Sequence, residues 1–363
     1  MNSWGNNIRL TLFGESHGPA IGITIDGIPA GITLDMDLIS NELSRRRPKA
    51  QEWSTTRNEA DAPEIISGVL EGKTTGGPIC CVIYNKDQRS SDYSDLLRPG
   101  HADWTAFIKH KGSADMRGGG RFSGRLTAPL VFAGAIAKQI LAERGIAIYG
   151  RIKAIGREQD DIDLTQICIE RNMQEEALIE TISRKDFPAS DEKEDIFKEY
   201  IAKAKADKDS IGGIIEAVCV GVPGGLGEPF FESVESRLSA MLFSVPAVKG
   251  VEFGRGFDIA TMKGSEANDS IGIKDGSIYS RTNNNGGLLG GITNGMPIVF
   301  RVAIKPTASI GIEQDTVDPI KMKETKISIN GRHDPCIVPR AVPVIEACAA
   351  LALLDIIWGD QNE

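Results

Sequence analysis

Residues 127–144 read TAPLVFAGAIAKQILAER, and this stretch decides the architecture. Thr127 and Pro129 suit the first turn of a helix, the interior is rich in alanine, and Gly145 supplies a stop. Its apolar residues fall on nearly every side of the 3.6-residue period instead of along one stripe. A helix of that kind must be covered on several sides, so the pattern predicts a central helix with other elements packed around it.

Outward from this helix, residues 8–13 (IRLTLF) and 20–26 (AIGITID) have the β-branched, partly alternating character of strands around a GESHG loop. Residues 35–46 (DMDLISNELSRR) read as a helix capped by Asp35, with Pro48 just beyond its end. Residues 79–84 (ICCVIY) resemble a buried strand. Further strands are expected at 146–155, 214–222 and 298–304, and a last helix at 341–358. The alternation is irregular, which favours one large mixed α/β body over 1–363 rather than two separate domains. Between 184 and 209, 7 basic and 8 acidic residues share 26 positions. This marks an exposed helical part of a charged insertion around 158–209, away from any active site.

The composition narrows the functional classes. Of 363 residues 40 are glycine, and 50 acidic against 41 basic residues leave a formal charge of -9. Nucleic acid is a poor partner for such a chain, because neutralising phosphates needs clustered Lys and Arg. No stretch approaches the ~20 apolar residues that span a bilayer, and the first residues carry no secretory leader, so no membrane partner is expected. The six cysteines form no Cys-x-x-Cys pair, and reduced thiols in a cytoplasmic protein are expected.

Locally the charge reverses. Between Arg98 and Arg125 six basic residues face two acids, a local charge of +4, and glycine runs such as Gly118-Gly119-Gly120 are interleaved with them. Guanidinium groups beside exposed backbone amides suit phosphate and carboxylate. A second basic knot is Arg45-Arg46-Arg47-Pro48-Lys49. Of the four histidines, His17, His101 and His333 stand beside glycine, proline or arginine in expected loops, where proton-transfer groups are commonly held. The run SRTNNNGGLLGGITNG at 280–295, followed by KPTAS at 305–309, reads either as turns or as the lining of a planar polar ligand. Gly68–Thr74 (GVLEGKT) is one residue short of a phosphate loop. GGGRFSG at 118–124 has the wrong spacing for a dinucleotide fingerprint, and no metal-ligand spacing stands out. The residues alone therefore indicate an anion-binding enzyme with histidine acid/base groups.

Taken together, the motifs resemble the chorismate synthase family along nearly the whole chain. They include FGESHG at 13–18, RRRP at 45–48, TTRNEAD at 55–61, SGVLEGKTTGGPI at 67–79, RPGHADWT at 98–105 and RGGGRFSGR at 117–125. GVPGGLGEP at 221–229, NNGGLLGGI at 284–292, KPTAS and GRHDPCIVPRAVPVIEA at 331–347 follow in order. The resemblance implies an α+β fold, a β-α-β sandwich whose central helices are covered by antiparallel sheets, assembled as a homotetramer. It implies trans-1,4 elimination of phosphate from 5-enolpyruvylshikimate 3-phosphate to give chorismate, with reduced FMN (FMNH2) as cofactor. NADPH, or a separate flavin reductase as partner, would supply the reducing equivalents.

By motif position the resemblance casts His17 as the acid for the departing phosphate, His101 as a group near the flavin ring and Asp334 as a partner to the flavin acting as base. Ser16 and Ser123 stand beside them. It points to flavin contacts at Arg121, Phe122, Ser123, Pro246, Ala247, Gly290, Lys305, Pro306, Thr307, Ala308, Ser309 and Arg332. Arg46 matches a nicotinamide-contacting arginine. On charge grounds Arg45, Arg46, Arg47, Arg125 and Arg340 are expected to clamp the substrate. Three positions depart from the family pattern. Phe122 replaces a hydroxyl residue, Ala114 stands near a common arginine, and Glu52 occupies the place of a second nicotinamide-contacting arginine. Little intrinsic flavin reductase activity is therefore expected.

Overall fold

A computed structural model of the chain describes all residues except 1, 49–50, 52, 55–59, 87–95, 168–172, 275, 330–333 and 361–363. Two five-stranded antiparallel sheets enclose a layer of helices. The first sheet runs in the order Ser3–Trp4, Arg9–Gly14, Ala20–Asp26, Ile79–Tyr84 and Glu64–Ser67. The second runs Val248–Phe253, Ile298–Ile304, Gly213–Val220, Ala147–Ile155 and Glu158–Gln159. In the first sheet Ile21, Ile23 and Ile25 stand opposite Ile83, Cys81 and Ile79, so both strands send the same apolar face into the core. In the second, Glu216 pairs across the sheet with both Arg151 and Arg301.

The central helix, Thr127–Ala142, buries nearly all of its side chains. It packs on the first sheet through Ala20–Asp26 and Ile79–Tyr84, and its main helical neighbour is the C-terminal helix, Val338–Asp360. That helix in turn packs on Ala147–Ile155 and Gly213–Val220 of the second sheet. The first helix, Met36–Arg46, lies against both, with Asp35 accepting from the Leu38 amide as its N-cap. Gly134 lets the two long helices close up, because a Cβ there would overlap Ala347. The layering agrees with the sandwich that the family resemblance implies.

Two expectations need correction. No membrane-length apolar stretch is expected, yet the segment Gly124–Ala142 and the C-terminal helix Val338–Asp360 are both long and apolar enough to cross a bilayer, the latter with a mean hydropathy of 2.0 over an 18-residue window. Both are core helices: 83% and 94% of the respective 18-residue windows are buried inside the fold. The charged helix Asp191–Ala206 is not exposed all round: Phe197 and Ile201 are buried in the main core. Its charged residues are on the outer side.

Buried polar groups tie the layers. Glu346, fully buried on the C-terminal helix, accepts from Arg45 at 2.7 and 2.8 Å, Lys138 Nζ at 2.5 Å, Ser183 Oγ at 2.9 Å and the Gly150 amide at 2.9 Å. One carboxylate thereby ties its own helix to three others, Met36–Arg46, Thr127–Ala142 and Met173–Arg184, and to the second sheet. Burial would raise its pKa, but Arg45 and Lys138 outweigh it and hold the group down at about 2. Asp355, near the far end of the same helix, accepts from the Asn7 and Ile8 amides, each at 2.7 Å, and pins the N-terminal segment.

Candidate active site

At one end of the helix layer a cavity of about 700 Å³ gathers segments that are distant in sequence. The last turn of the first helix brings Arg46. The start of the central helix brings Thr127, and the start of the C-terminal helix brings Ile337, Arg340, Ala341 and Val344. Loops 98–105, 117–125, 243–249 and 305–309 complete the wall. Two long helices thus present their N-terminal turns, whose partial positive charge favours anions.

Among the described residues, seven Arg and Lys side chains line this cavity: Arg46, Arg98, Arg121, Arg125, Arg340, Lys249 and Lys305. Asp334 is the one acid on the wall among the described residues. Two more carboxylates, Asp61 and Asp103, stand behind the wall and pair with its arginines. Asp61, buried and held at φ +46°, binds Arg46 Nη1 at 2.9 Å through one oxygen and Arg125 Nη1 through the other. Burial alone would push the Asp61 carboxyl up, but the two guanidinium groups hold it below the usual range. Burial, with Arg340 and Arg125 nearby, pulls Arg46 down to about 10, so it stays charged at neutral pH. Arg46 also donates to Thr127 Oγ1 at 3.1 Å and the Gly124 carbonyl at 2.8 Å. Arg340 donates to the Arg46 carbonyl at 3.1 Å and pairs with Asp334. Burial and Lys249 lower the pKa of Lys305.

The glycine run explains how two histidines approach one wall. Gly118, Gly119 and Gly120 all have positive φ (60°, 87° and 51°), a backbone course open to glycine and costly for other residues. A Cβ on Gly118 would lie 2.5 Å from His17 Nε2, and one on Gly119 would lie 3.2 Å from His101 Nε2. The imidazoles occupy the space that side chains would take. The Ser16 amide donates to the Gly120 carbonyl at 3.1 Å, which docks the GESHG loop on the same run. His101 lines the cavity; Ser16 and His17 are buried directly behind Gly118–Gly120.

Part of the lining is apolar: Phe122, Phe243, Val245, Pro246, Ala247, Ile337 and Val344. Ala247 holds φ +74° and its carbonyl accepts from the Lys305 amide at 2.9 Å, a strained non-glycine position at the cavity edge. The Thr307 hydroxyl is buried at the wall with no hydrogen-bond partner among the described residues. An orphaned donor in such a place is suited to a polar ligand.

Of the residues singled out from sequence, Arg46, His101, Arg121, Phe122, Ser123, Arg125, Pro246, Ala247, Lys305, Pro306, Thr307, Ala308, Ser309, Asp334 and Arg340 meet at this cavity. Three do not. Arg45, expected as a substrate clamp, is committed to Glu346 and Glu42. Arg47 lies past the helix end and points its guanidinium towards the Ala60 carbonyl. Gly290 sits at the exposed tip of the hairpin formed by Leu288–Leu289 and Ile292–Thr293, and no residue of 280–295 lines the cavity. Those amides are spent on turns, as where Asn285 and Asn284 meet Asp269. Arg332, His333 and Glu52 lie outside the described residues. Sequence reasoning gave no role to Asp61, Asp103 or Thr127, whose partners are fixed only by folding, nor to Lys249 or Phe243.

A family model described as chorismate synthase matches residues 8–358. The chain is 47% identical over 365 residues to the chorismate synthase of Methanocaldococcus jannaschii, covering 98% of this chain and 96% of the relative. It is 48% identical over 354 residues to that of Pyrococcus abyssi, covering 97% and 96%. A solved structure titled "Crystal Structure of Chorismate Synthase" superposes with a TM-score of 0.74 at 31% identity, covering 98% of this chain and 93% of the other. With the fold, the cationic cavity and these matches agreeing over almost its full length, the chain belongs to the chorismate synthase family.

Proposed function

We propose that this protein is a lyase that eliminates phosphate from 5-enolpyruvylshikimate 3-phosphate in the 1,4-trans sense and releases chorismate. The observation that carries this reading is the cavity itself: seven cations and two helix N-termini in a chain whose formal charge is -9. A substrate with one phosphate and two carboxylates needs such compensation, and cations placed where charge develops lower the barrier to departure.

Reduced FMN is the cofactor proposed for the same cavity. The residues fit it: the apolar wall of Phe122, Pro246, Ala247 and Ile337 suits a planar ring, and the unpartnered Thr307 hydroxyl with Lys305 suits its polar edge. When bound, the flavin would lend electron density as phosphate leaves and recover it as the C6 hydrogen is lost. The chain's own residues do the rest. Arg46, Arg125 and Arg340 hold the anionic substrate, with Asp61 fixing the first two as a pair. His17, on the Gly118 side, supplies a proton for the departing phosphate, while His101 holds a proton at the cavity wall. Asp334, oriented by Arg340, faces the same space.

The protein is further proposed to act as a homotetramer. Phe230, Phe231 and Phe257 are each more than 80% exposed, and Ile271, Ile273 and Ile278 stand out on one hairpin, apolar area that subunit contacts would cover. Light scattering should give four times the 39.1 kDa chain mass; a monomer would overturn this assembly. The reaction is tested anaerobically with purified protein, 5-enolpyruvylshikimate 3-phosphate and chemically reduced FMN. Phosphate and chorismate should appear together, and the absence of both would refute the reading.

A further inference from the structure

Asp103 is buried at the start of the helix Asp103–His110, and the reaction just proposed assigns it nothing. Its Oδ1 lies 2.5 Å from His101 Nδ1 and accepts from Arg98 Nη2 at 2.8 Å. Its Oδ2 accepts from Arg98 Nε at 2.7 Å and the Arg98 amide at 3.1 Å. Arg98 Nη1 reaches on to Ser309 Oγ at 3.2 Å.

Two groups crowd His101 Nδ1: a carboxylate oxygen and, 3.0 Å away, Arg98 Nη2. An ionised carboxylate only accepts and a guanidinium only donates. The two therefore demand opposite states of that nitrogen. The shorter approach decides it, because a bare lone pair 2.5 Å from a carboxylate oxygen would be repelled, whereas a shared proton makes a strong charge-assisted bond. Arg98 is held without a bond to the ring, since its Nε, Nη2 and backbone amide all donate to Asp103. Although burial opposes ionisation, Arg98 and His101 hold the Asp103 carboxyl well below the usual carboxylate range.

We propose that Asp103 is a positioning residue that locks His101 as the Nδ1–H tautomer, so that Nε2, beside Gly119, is the ring atom that exchanges protons in the cavity. The same carboxylate fixes Ser309 through Arg98, which makes the ring and the 305–309 wall one rigid unit. The proposal rests on His101 being the proton-handling group of the cavity. The tautomer itself does not depend on which reaction occurs there.

The test is ¹⁵N NMR of histidine-labelled protein at pH about 9, where an ordinary imidazole is neutral. The His101 signals are identified by their loss in His101→Gln. The wild type should show a protonated Nδ1 and a bare Nε2, and Asp103→Asn should move the ring towards the Nε2–H form. The same variant should lose at least ~10-fold in kcat, the cost of a misplaced tautomer, with KM within about threefold. An Nε2–H ring in the wild type, or an unchanged ring in Asp103→Asn, would overturn the proposal. If Asp103→Asn does not fold, the wild-type spectrum decides alone. The expected tautomers with no turnover in either protein would refute the chorismate-forming reaction and leave the role of Asp103 intact.

Discussion

Gly118 shows how single residues carry the site. Its φ of +60° and the His17 ring 2.5 Å from any added Cβ leave no room for a side chain. Gly118→Ala should cost about 1–2 kcal/mol from backbone strain alone, read by urea unfolding. It should also displace His17 and slow turnover at least as much as an acid/base loss, ~10²-fold, as His17→Ala should. Near-wild-type turnover in both variants would remove His17 from the chemistry. The glycine run and the loop histidines were legible in sequence as features, but not that each ring fills the place of a missing Cβ. The basic knot at 45–47 misled for a simple reason. Successive helical residues point about 100° apart, so three adjacent arginines cannot face one cavity. Arg46 turns in, Arg45 turns to Glu346, and Arg47 lies past the last turn.

At the scale of elements, helices carry the cavity and Glu346 carries the helices. Glu346→Gln leaves Arg45 and Lys138 short of their buried counter-charge and should destabilise the fold by about 3 kcal/mol. The pH dependence has a definite sign. Because the folded value is depressed from 4.5 to about 2, the unfolded chain binds the proton first as pH falls. The stabilisation is complete above about pH 4.5 and is lost as pH drops towards 2. Urea midpoints measured across that window should fall less steeply for Glu346→Gln than for the wild type; parallel slopes would contradict the role of this carboxylate. The strands at 20–26, 79–84 and 298–304 and the central helix were readable because their patterns are local. The C-terminal helix starts at Val338, earlier than its prolines suggest. Pro339 sits in the first turn, and Pro343 forfeits only a bond to a first-turn carbonyl. The strand Val248–Phe253 and the helix Val234–Leu242 escaped notice, being short and held by partners far along the chain.

For the whole molecule, net charge and site charge have opposite signs. An acidic body with one cationic cavity attracts anions only at close range, within a Debye length of about 10 Å at 0.1 M salt. Raising ionic strength from about 0.05 to 0.5 M should therefore raise KM for the substrate several-fold, with a smaller effect on kcat once the ligand is enclosed. An unchanged KM would mean that the cations do not meet the substrate. The local excess between Arg98 and Arg125 was visible in the sequence. The pairing of Arg46 with Arg125 through Asp61 was not, because it joins residues that only the folded layers bring together. The most direct measurement is anaerobic turnover with a large excess of 5-enolpyruvylshikimate 3-phosphate over chemically reduced FMN. An elimination without net redox change predicts chorismate and phosphate in equal amounts, far exceeding the flavin, which stays reduced throughout. Product capped at one equivalent per flavin, or no product at all, would contradict it.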